Sequence, residues 1–255
     1  MPDDPTARFA ALVAARGADL PLDEAALLIA AHALADLDVR AEQARLDELA
    51  SGVEAPTVEA LVAHLVGRVG FTGDHTSYHD ARNSLLPEVL DRRRGIPLTL
   101  SVVAIEVGRR CGLPLVGIGM PGHFLARSSH ADDRYLDLFA GGRLLDRSGC
   151  RAIFERLHPG VAWDDSYLAP VPATAIVSRM LLNLANAYRR SGDRHALAWA
   201  VALRLELPGV TEHERRELAV LLGAAGRYDR AAEVLEGTGE QRDQEAAARL
   251  RARLN

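Results

Sequence analysis

The chain has 255 residues, of which 48% are hydrophobic and 25% charged, as is ordinary for a globular protein of one or two domains. A formal net charge of -5 and a pI near 6.0 exclude the strongly basic surface typical of a nucleic-acid binder. All lysine and arginine positions, 30 in number, are arginine, which excludes a Schiff-base lysine and a P-loop lysine.

Cysteine usage and apolar runs indicate the compartment. Cys111 and Cys150 are too few for a secreted disulfide framework, and the start MPDDPTARF lacks the basic and apolar segments of a signal peptide. No apolar run approaches the ~18 residues of a membrane span. We therefore expect a cytoplasmic protein that binds no membrane and no cofactor.

The first 70 residues have apolar side chains at helical spacing. The pattern predicts helices over residues 22–34 and 58–69, with a shorter helix around Leu46 and Leu49 that Gly52 closes. Thr57 is a suitable N-cap for the second long helix, and Gly70 follows its last apolar residue. These helices form a layer before the rest of the fold.

Residues 71–82, FTGDHTSYHDAR, have the composition of turns and no apolar period. His75 and His79 are four residues apart beside Asp74, a spacing that could hold a metal ion on a helix. Gly73 and the surrounding Asp, Thr and Ser residues favour a loop instead, so we predict no metal site.

The next segments predict a buried helix and then a hairpin. Residues 98–110 are apolar nearly all round, and Pro97 fits the first turn of that helix. Strand-like runs follow at 115–120, 123–127 and 135–140, with a polar segment between the last two. If that hairpin is centred on His130, then His123 and Asp137 face each other.

From Ala173 onward the pattern is helical to the end. Gly192 and Gly226 are 34 residues apart in similar settings, RRSGDRHALAWA and GAAGRYDRAAEVL, which is typical of tetratricopeptide helix pairs. About two such pairs are present, so we expect them to pack on the preceding domain.

Several long motifs occur in a characteristic order: NSLLPEVLDRRRGIPLTLS, then PGHFLAR, then the RMLLNLANAYRRSGD region. In these the sequence resembles the SirB-type transglutaminase-like proteins, in which a second class of transglutaminase core precedes tetratricopeptide repeats. The resemblance implies an α+β fold with a papain-like core over residues 1–170, helical in 1–70 with the core proper in 71–170. Tetratricopeptide-like helices would occupy 171–255.

The resemblance also implies a cysteine nucleophile at the start of the buried helix, served by His123 and Asp137. Pro97 stands at that position, and proline supplies neither a nucleophile nor a backbone N–H for an oxyanion hole. Thr99 and Ser101 are the nearest hydroxyls, and we treat them as weak substitutes. His123 and Asp137 form either a functional pair or a couple that only fixes the hairpin.

Neither of the two cysteines is placed to act as the missing nucleophile. Cys111 lies at the wrong end of the buried helix, where the helix dipole disfavours a thiolate. Cys150 follows Gly149 and is expected to be partly exposed and mildly reactive, with nothing to bring it near His123.

Three polar residues precede the buried helix. Asn83, Glu88 and Arg92 could line the mouth of a ligand cleft. They could equally stabilise a helix over residues 84–93, with Asn83 as its N-cap and Glu88 paired to Arg92 four residues on. We favour the structural interpretation.

Three functions remain open. The first is a non-catalytic or catalytically altered protein that binds a peptide or protein partner through its cleft and helical repeats. The second is an acyl-transfer or amide-hydrolysing enzyme in which His123 activates water or Ser101 and Asp137 orients His123. In the third, the repeats carry the whole function and the core is a scaffold.

Overall fold

A computed structural model describes residues 4–130 and 133–253. The predicted N-terminal helical layer is present. Its helices are α1 (Pro5–Arg16), α2 (Leu22–Ala30), α3 (Val39–Ser51) and α4 (Val58–Val62), the last continuing as a π-helical segment over Ala63–Val69. Helix α2 ends four residues before the predicted limit. The His32 ring accounts for this, since Nδ1 lies 2.9 Å from the Leu28 carbonyl and competes with the backbone for it.

The predicted limits of the second long helix are confirmed. The Thr57 hydroxyl accepts the backbone N–H of Ala60 at 3.2 Å, as an N-cap should. Gly70 ends the π-helical segment with a φ of 88°, a left-handed conformation that glycine adopts without strain. Gly52 closes α3, as predicted.

A loop and a short helix lead into the central helix. The loop predicted over 71–82 is confined to residues 74–80, because Thr72 and Gly73 form a strand and Ala81–Ser84 form a 3-10 helix; α5 (Leu86–Arg92) follows. Two short strands, β1 (Thr72–Gly73) and β2 (Arg94–Gly95), pair in parallel on either side of this segment. Helix α6 (Pro97–Arg110) begins at the predicted proline and is buried along its length until Arg109.

An antiparallel sheet covers α6. Within the described residues its five strands have the order β6-β5-β4-β3-β7. They are β3 (Leu115–Ile118), β4 (Leu125–Ser128), β5 (Tyr135–Asp137), β6 (Arg143–Leu145) and β7 (Pro170–Val171). The strand predicted over 135–140 ends at Asp137, because a turn begins at Leu138 and the N–H of Gly141 bonds back to its carbonyl. Strands β6 and β7 were not predicted, since each has only two or three residues.

Helix α7 (Arg147–Leu157) covers the outer part of the sheet. Asp146 caps it by accepting the N–H of Gly149 at 2.7 Å. Its buried side chains, Cys150 and Phe154, pack in a second hydrophobic cluster that includes Tyr135 and Leu168. The sheet is therefore packed against helices on more than one side, and the predicted α+β class is confirmed.

Most of the described residues from Ala173 onward are helical, as expected. Their helices are α8 (Ala173–Ser191), α9 (Arg194–Glu206), α10 (Glu212–Ala224), α11 (Tyr228–Glu236) and α12 (Gln241–Arg251). Gly192 after α8 and Gly226 after α10 have φ values of 76° and 78°, so both helix-glycine-helix units turn in the same way. Within the described residues, no helix combines the length and the apolar character needed to cross a bilayer.

The main hydrophobic core joins the first and last parts of the sequence. Ile176, Val177 and Met180 of α8 belong to the same buried cluster as Phe9 of α1 and Val103 of α6. A second link lies nearer the surface. There the His32 ring stacks on Trp199 of α9 with ring centroids 5.2 Å apart. The division of the protein at residue 170 stays a prediction.

Candidate functional site

A buried histidine and a buried aspartate form the centre of the candidate site. Nε2 of His123 lies 2.8 Å from Oδ2 of Asp137, and the two residues are 8% and 2% exposed. Asp137 ends β5, and its other oxygen accepts the backbone N–H of Ala140 at 3.0 Å. Both carboxylate oxygens are occupied, so the carboxylate fixes the orientation of the imidazole.

The second nitrogen of His123 determines what its side chain can do. When the ring is neutral and the carboxylate ionised, Nε2 donates to Asp137 and Nδ1 carries the lone pair. Nδ1 can therefore take a proton from a group placed beside it. Across residues 4–130 and 133–253, no hydroxyl or thiol makes a hydrogen bond to this ring.

The contact between His123 and Asp137 was predicted, but the predicted register was wrong. Ala126 pairs with Leu136 and Arg127 with Tyr135, so the hairpin is centred on position 131 and not on His130. Position 131 itself and position 132 lie outside the described residues. His123 precedes β4 and is not opposite Asp137; its ring reaches Asp137 diagonally, as long side chains can between neighbouring strands.

The start of α6 holds the residues expected near a nucleophile. Pro97 is the first residue of the helix and is buried. The Thr99 hydroxyl donates to the Asn83 carbonyl at 2.6 Å, which occupies its proton in a structural bond. Ser101 is 1% exposed, and in the part of the protein that the structure describes its hydroxyl has no hydrogen-bond partner. Neither hydroxyl is hydrogen-bonded to the imidazole.

Among the described residues, neither cysteine forms a hydrogen bond to His123 or Asp137. Cys111 follows the last turn of α6, and its Sγ donates to the Gly108 carbonyl at 3.4 Å. Cys150 is fully buried in the second cluster, so the expectation of partial exposure was wrong. Burial raises the pKa of its thiol to about 12, with the charges of Asp146 and Asp137 adding to the effect. A thiol with this pKa is inert at neutral pH.

The polar residues before α6 organise the loop over residues 74–83. Asp74 is 3% exposed, and its Oδ1 accepts the N–H groups of Ser77 and Thr76 at 2.9 and 3.2 Å. Its Oδ2 pairs with Nη2 of Arg92 at 3.0 Å. The Ser77 hydrogen bond is the largest cause that lowers the pKa of Asp74 to about 2, and the Thr76 hydroxyl adds to it.

Two predictions about this segment were wrong. Asn83 does not cap α5, because that helix begins at Leu86 with Pro87 in its first turn and Leu85 before it. Asn83 is instead fully buried, bonded to the Ser77 carbonyl at 2.7 Å and to Arg92 at 3.0 Å. Arg92 is thus engaged with the loop, and Glu88, which is half-buried, forms no ion pair among the described residues.

An aromatic wall stands beside His123. The centroid of the Phe139 ring lies 4.4, 6.0 and 6.3 Å from the ring centroids of His75, Tyr78 and His123, respectively. Gly73 allows this arrangement, because a Cβ there would lie 2.6 Å from the Phe139 ring and from its carbonyl oxygen. Tyr78 remains 41% exposed, so the wall faces solvent on one side.

The same loop carries His75 and His79, whose spacing would suit a metal ion on a helix. His75 packs on Phe139, and the ring of His79 lies 5.3 Å from that of Tyr78. In the described ranges, no group of three or more histidine, cysteine, aspartate or glutamate side chains is arranged to hold a metal ion. The two histidines belong to the aromatic wall.

A groove extends from this wall along α8. It has a volume of about 240 Å³ and lies between the loop at Tyr78 to Ser84, Ile96 just before α6, and a polar stripe of α8. From α8 the groove is lined by Asn183, Asn186, Ala187 and Arg190. Arg179, one turn before Asn183, donates to the Met120 carbonyl at 3.3 Å and covers the Phe124 ring at 5.5 Å. Sequence patterns did not single out Phe139 or Arg179.

Comparisons with known proteins bear on this arrangement. The family model described as "Transglutaminase-like superfamily" matches residues 31–182. A UPF0162 protein of Xylella fastidiosa strain 9a5c is 41% identical over 197 residues, which are 69% of this protein and 69% of that one. A UPF0162 protein of Pseudomonas aeruginosa is 37% identical over 209 residues, 76% of each.

A more distant similarity is to human F-box only protein 21, at 26% identity over 149 residues, covering 55% of this protein and 23% of that one. The match spans about two thirds of the length of the first curated relatives. No solved structure matches the sequence.

Proposed function

Since this chain belongs to the transglutaminase-like superfamily, we propose that it is a SirB-type member that binds a peptide or protein segment beside His123 without thiol catalysis. One observation carries the proposal. The His123–Asp137 pair is formed and oriented, yet none of the described residues brings a thiol or hydroxyl into hydrogen-bond contact with the ring. A site that has a base but no nucleophile can still bind a ligand in its cleft, so we assign it a binding function.

The nature of residue 97 supports a loss of catalysis. In acyl transfer through a thiolate, the helix N-terminus and a neighbouring histidine together stabilise the thiolate. Pro97 begins α6 and has neither a side-chain nucleophile nor an N–H to donate to an oxyanion. The Thr99 hydroxyl is bonded to a backbone carbonyl, and Ser101 lies one turn deeper in the helix.

The C-terminal helices fit the same proposal. We assign residues 171–255 to tetratricopeptide-like pairs, supported by the repeated left-handed glycines at 192 and 226. Such pairs form concave surfaces that bind extended segments, and α8 contributes its polar stripe to the groove beside the core. The core and these helices thus form one binding surface, with residues 1–170 as the transglutaminase-like part.

A second candidate is hydrolysis by an activated water. The free lone pair on Nδ1 of His123 favours it, because a water bound there could lose its proton to the ring and attack an amide or ester carbonyl. The proton would then pass from His123 to the leaving amine or alcohol, and Asp137 would keep the ring in place.

Incubation of the full-length protein with peptide amides and esters separates the two candidates, with products followed by mass spectrometry. We expect saturable peptide binding and no turnover from the natural protein. Turnover that is lost in His123→Ala would establish the hydrolytic function and overturn the binding-only proposal.

A variant at residue 97 tests the assignment of the missing nucleophile. Pro97→Cys is expected to attack peptide esters, releasing the alcohol and leaving an acyl group on residue 97 as an increase in intact mass. Pro97→Ala is the matched control and should gain no mass. A Pro97→Cys protein that folds but forms no acyl adduct would show that position 97 is not the nucleophile position.

A further inference from the structure

Among the described residues, a half-buried arginine close to His123 has no carboxylate partner. Arg179 lies on α8, and one of its N–H groups donates to the Met120 carbonyl at 3.3 Å. The backbone N–H of His123 donates to the same carbonyl at 3.1 Å, so the guanidinium lies next to the residue that carries the candidate base. Over the described ranges, no aspartate or glutamate oxygen lies within 4 Å of the Arg179 nitrogens.

The surroundings of Arg179 leave most of its donors unused. A guanidinium has five N–H groups in a planar fork, and Met120 accepts from one side of it. The Phe124 ring supports its face at 5.5 Å but accepts little from its edge. Burial lowers the pKa of Arg179, with the nearby Tyr78 hydroxyl acting in the opposite direction. A partly desolvated cation of this kind is best matched by an anion that fits the fork.

Arg179 begins a polar stripe that continues into the groove. Residues 179, 183, 186 and 190 are separated by four, three and four positions, which puts them on one face of a helix. Asn183, Asn186 and Arg190 line the groove. At 1.5 Å per residue the stripe is about 16 Å long, the length of about five residues of extended peptide.

The balance of charge around the groove is positive. Asp80 is paired with Arg82 at 2.6 Å, and Asp74 with Arg92 at 3.0 Å. These two aspartates are thus paired with other arginines. In the part of the protein that the structure describes, neither Arg179 nor Arg190 forms an ion pair. Apart from Asp80, the described residues that line the groove include no acidic side chain.

We propose that an extended peptide segment bearing a carboxylate lies along this stripe, with its backbone in the groove and its carboxylate just beyond the groove, held by paired N–H donors of Arg179 beside His123. The side-chain amides of Asn183 and Asn186 bind the peptide backbone, as amides can both donate and accept. Arg190 attracts a second negative charge at the far end of the groove. The inference rests on the proposed peptide-binding function and names the class of peptide.

Three pentapeptides serve as probes for the full-length protein at pH 7 and low salt: acetyl-AEAEA-amide, acetyl-AQAQA-amide and acetyl-AAAAA with a free C-terminus. Binding is followed by NMR chemical shifts of the isotope-labelled protein. We expect the glutamate peptide to bind at least tenfold more tightly than the glutamine peptide, with weaker binding at higher salt. Preference for the free-acid peptide over the glutamate peptide would identify the terminal carboxylate of a peptide as the group bound and would also support the proposal.

Variants of α8 connect the effect to Arg179. Arg179→Gln should lose the preference for glutamate over glutamine, and Arg179→Lys should keep only part of it, since lysine lacks the planar fork. Arg189→Gln removes the same charge from an exposed position outside the groove and should leave the preference unchanged. Thermal melting of each variant checks that it folds, and the comparison of peptides on the natural protein needs no variant at all.

The outcomes separate this inference from the function it rests on. If neither the glutamate peptide nor the free-acid peptide binds more tightly than the glutamine peptide, the carboxylate preference is overturned while peptide binding is left intact. A preference that survives in Arg179→Gln would overturn the role of Arg179. Failure of all three peptides to bind at about 10 mM, on the order of the weakest specific affinities, would overturn both the inference and the peptide-binding function.

Discussion

Asp74 stabilises the loop that carries Tyr78. Substitution of Asp74 by asparagine measures how much the charge of its carboxylate contributes to the free energy of unfolding. In the native fold the carboxylate accepts N–H groups from Ser77 and Thr76 and pairs with Arg92. Asparagine retains one acceptor oxygen of similar shape but no charge. The variant Asp74→Asn should therefore keep the fold and lose the charge-dependent part of the stability.

The pKa gives the size of that part. The Ser77 hydrogen bond and its neighbours lower the pKa of Asp74 from 3.8 to about 2, and each unit corresponds to about 1.4 kcal/mol. We expect Asp74→Asn to lower the free energy of unfolding by about 2 kcal/mol at pH 7. Because the pKa is depressed in the folded state, this stabilisation is complete above the unfolded pKa near 4 and is lost as the pH falls towards 2.

Urea unfolding of both proteins between pH 7 and pH 2.5 tests the argument. The difference in unfolding free energy should shrink to about half its neutral value near pH 3, since other carboxylates affect both proteins alike. Asp91→Asn is the matched control. Its exposed pair with Arg45 should contribute less than about 0.5 kcal/mol. An Asp74→Asn protein as stable as the natural one at pH 7, or a difference that stays constant down to pH 2.5, would refute the reasoning.

Two further predictions use other features of the site. Gly73→Ala should destabilise the protein by about 1–3 kcal/mol in urea unfolding, because its Cβ would lie 2.6 Å from the Phe139 ring and carbonyl oxygen. Gly67→Ala, in an exposed and open helical position, should instead stabilise by about 0.5–1 kcal/mol; equal effects would contradict the packing argument. Alkylation at pH 8 should label Cys111 in the native protein and Cys150 only after unfolding, since burial raises the pKa of Cys150 to about 12. Peptide mapping checks this, and native labelling of Cys150 would show that its cluster opens.

The main elements of the fold could be predicted from local signals. Pro97 and the apolar run after it define α6, and turn-forming residues define the loop over 74–80. The contact between His123 and Asp137 followed from their order on successive strands. Its register did not, because a displacement of the turn by one position moves every facing pair and the polar segment has no residue that fixes its centre.

Side chains that reach across the sequence could not be predicted in the same way. The local sequence around Asn83 is typical of a helix cap. In the fold, however, its side-chain oxygen accepts a hydrogen bond from Arg92, nine residues later in the sequence. Phe139 lies in a run that reads as a strand, and only the fold brings it against Gly73 and His123. The polar stripe from Arg179 to Arg190 could have been predicted from the sequence, since its residues recur at helical spacing opposite the apolar face of α8.

The stacking of His32 on Trp199 has a consequence for the timing of biosynthesis. These rings are separated by 167 positions, and at ~5–20 residues per second the ribosome takes about 8–33 seconds to make that stretch. Until α9 emerges, α1 lacks one of the surfaces on which it finally packs, whereas α2 already contacts α3, α5 and α6. A nascent polypeptide stalled before α9 should thus remain more sensitive to protease in α1 than in α2, and completion of synthesis should abolish that difference.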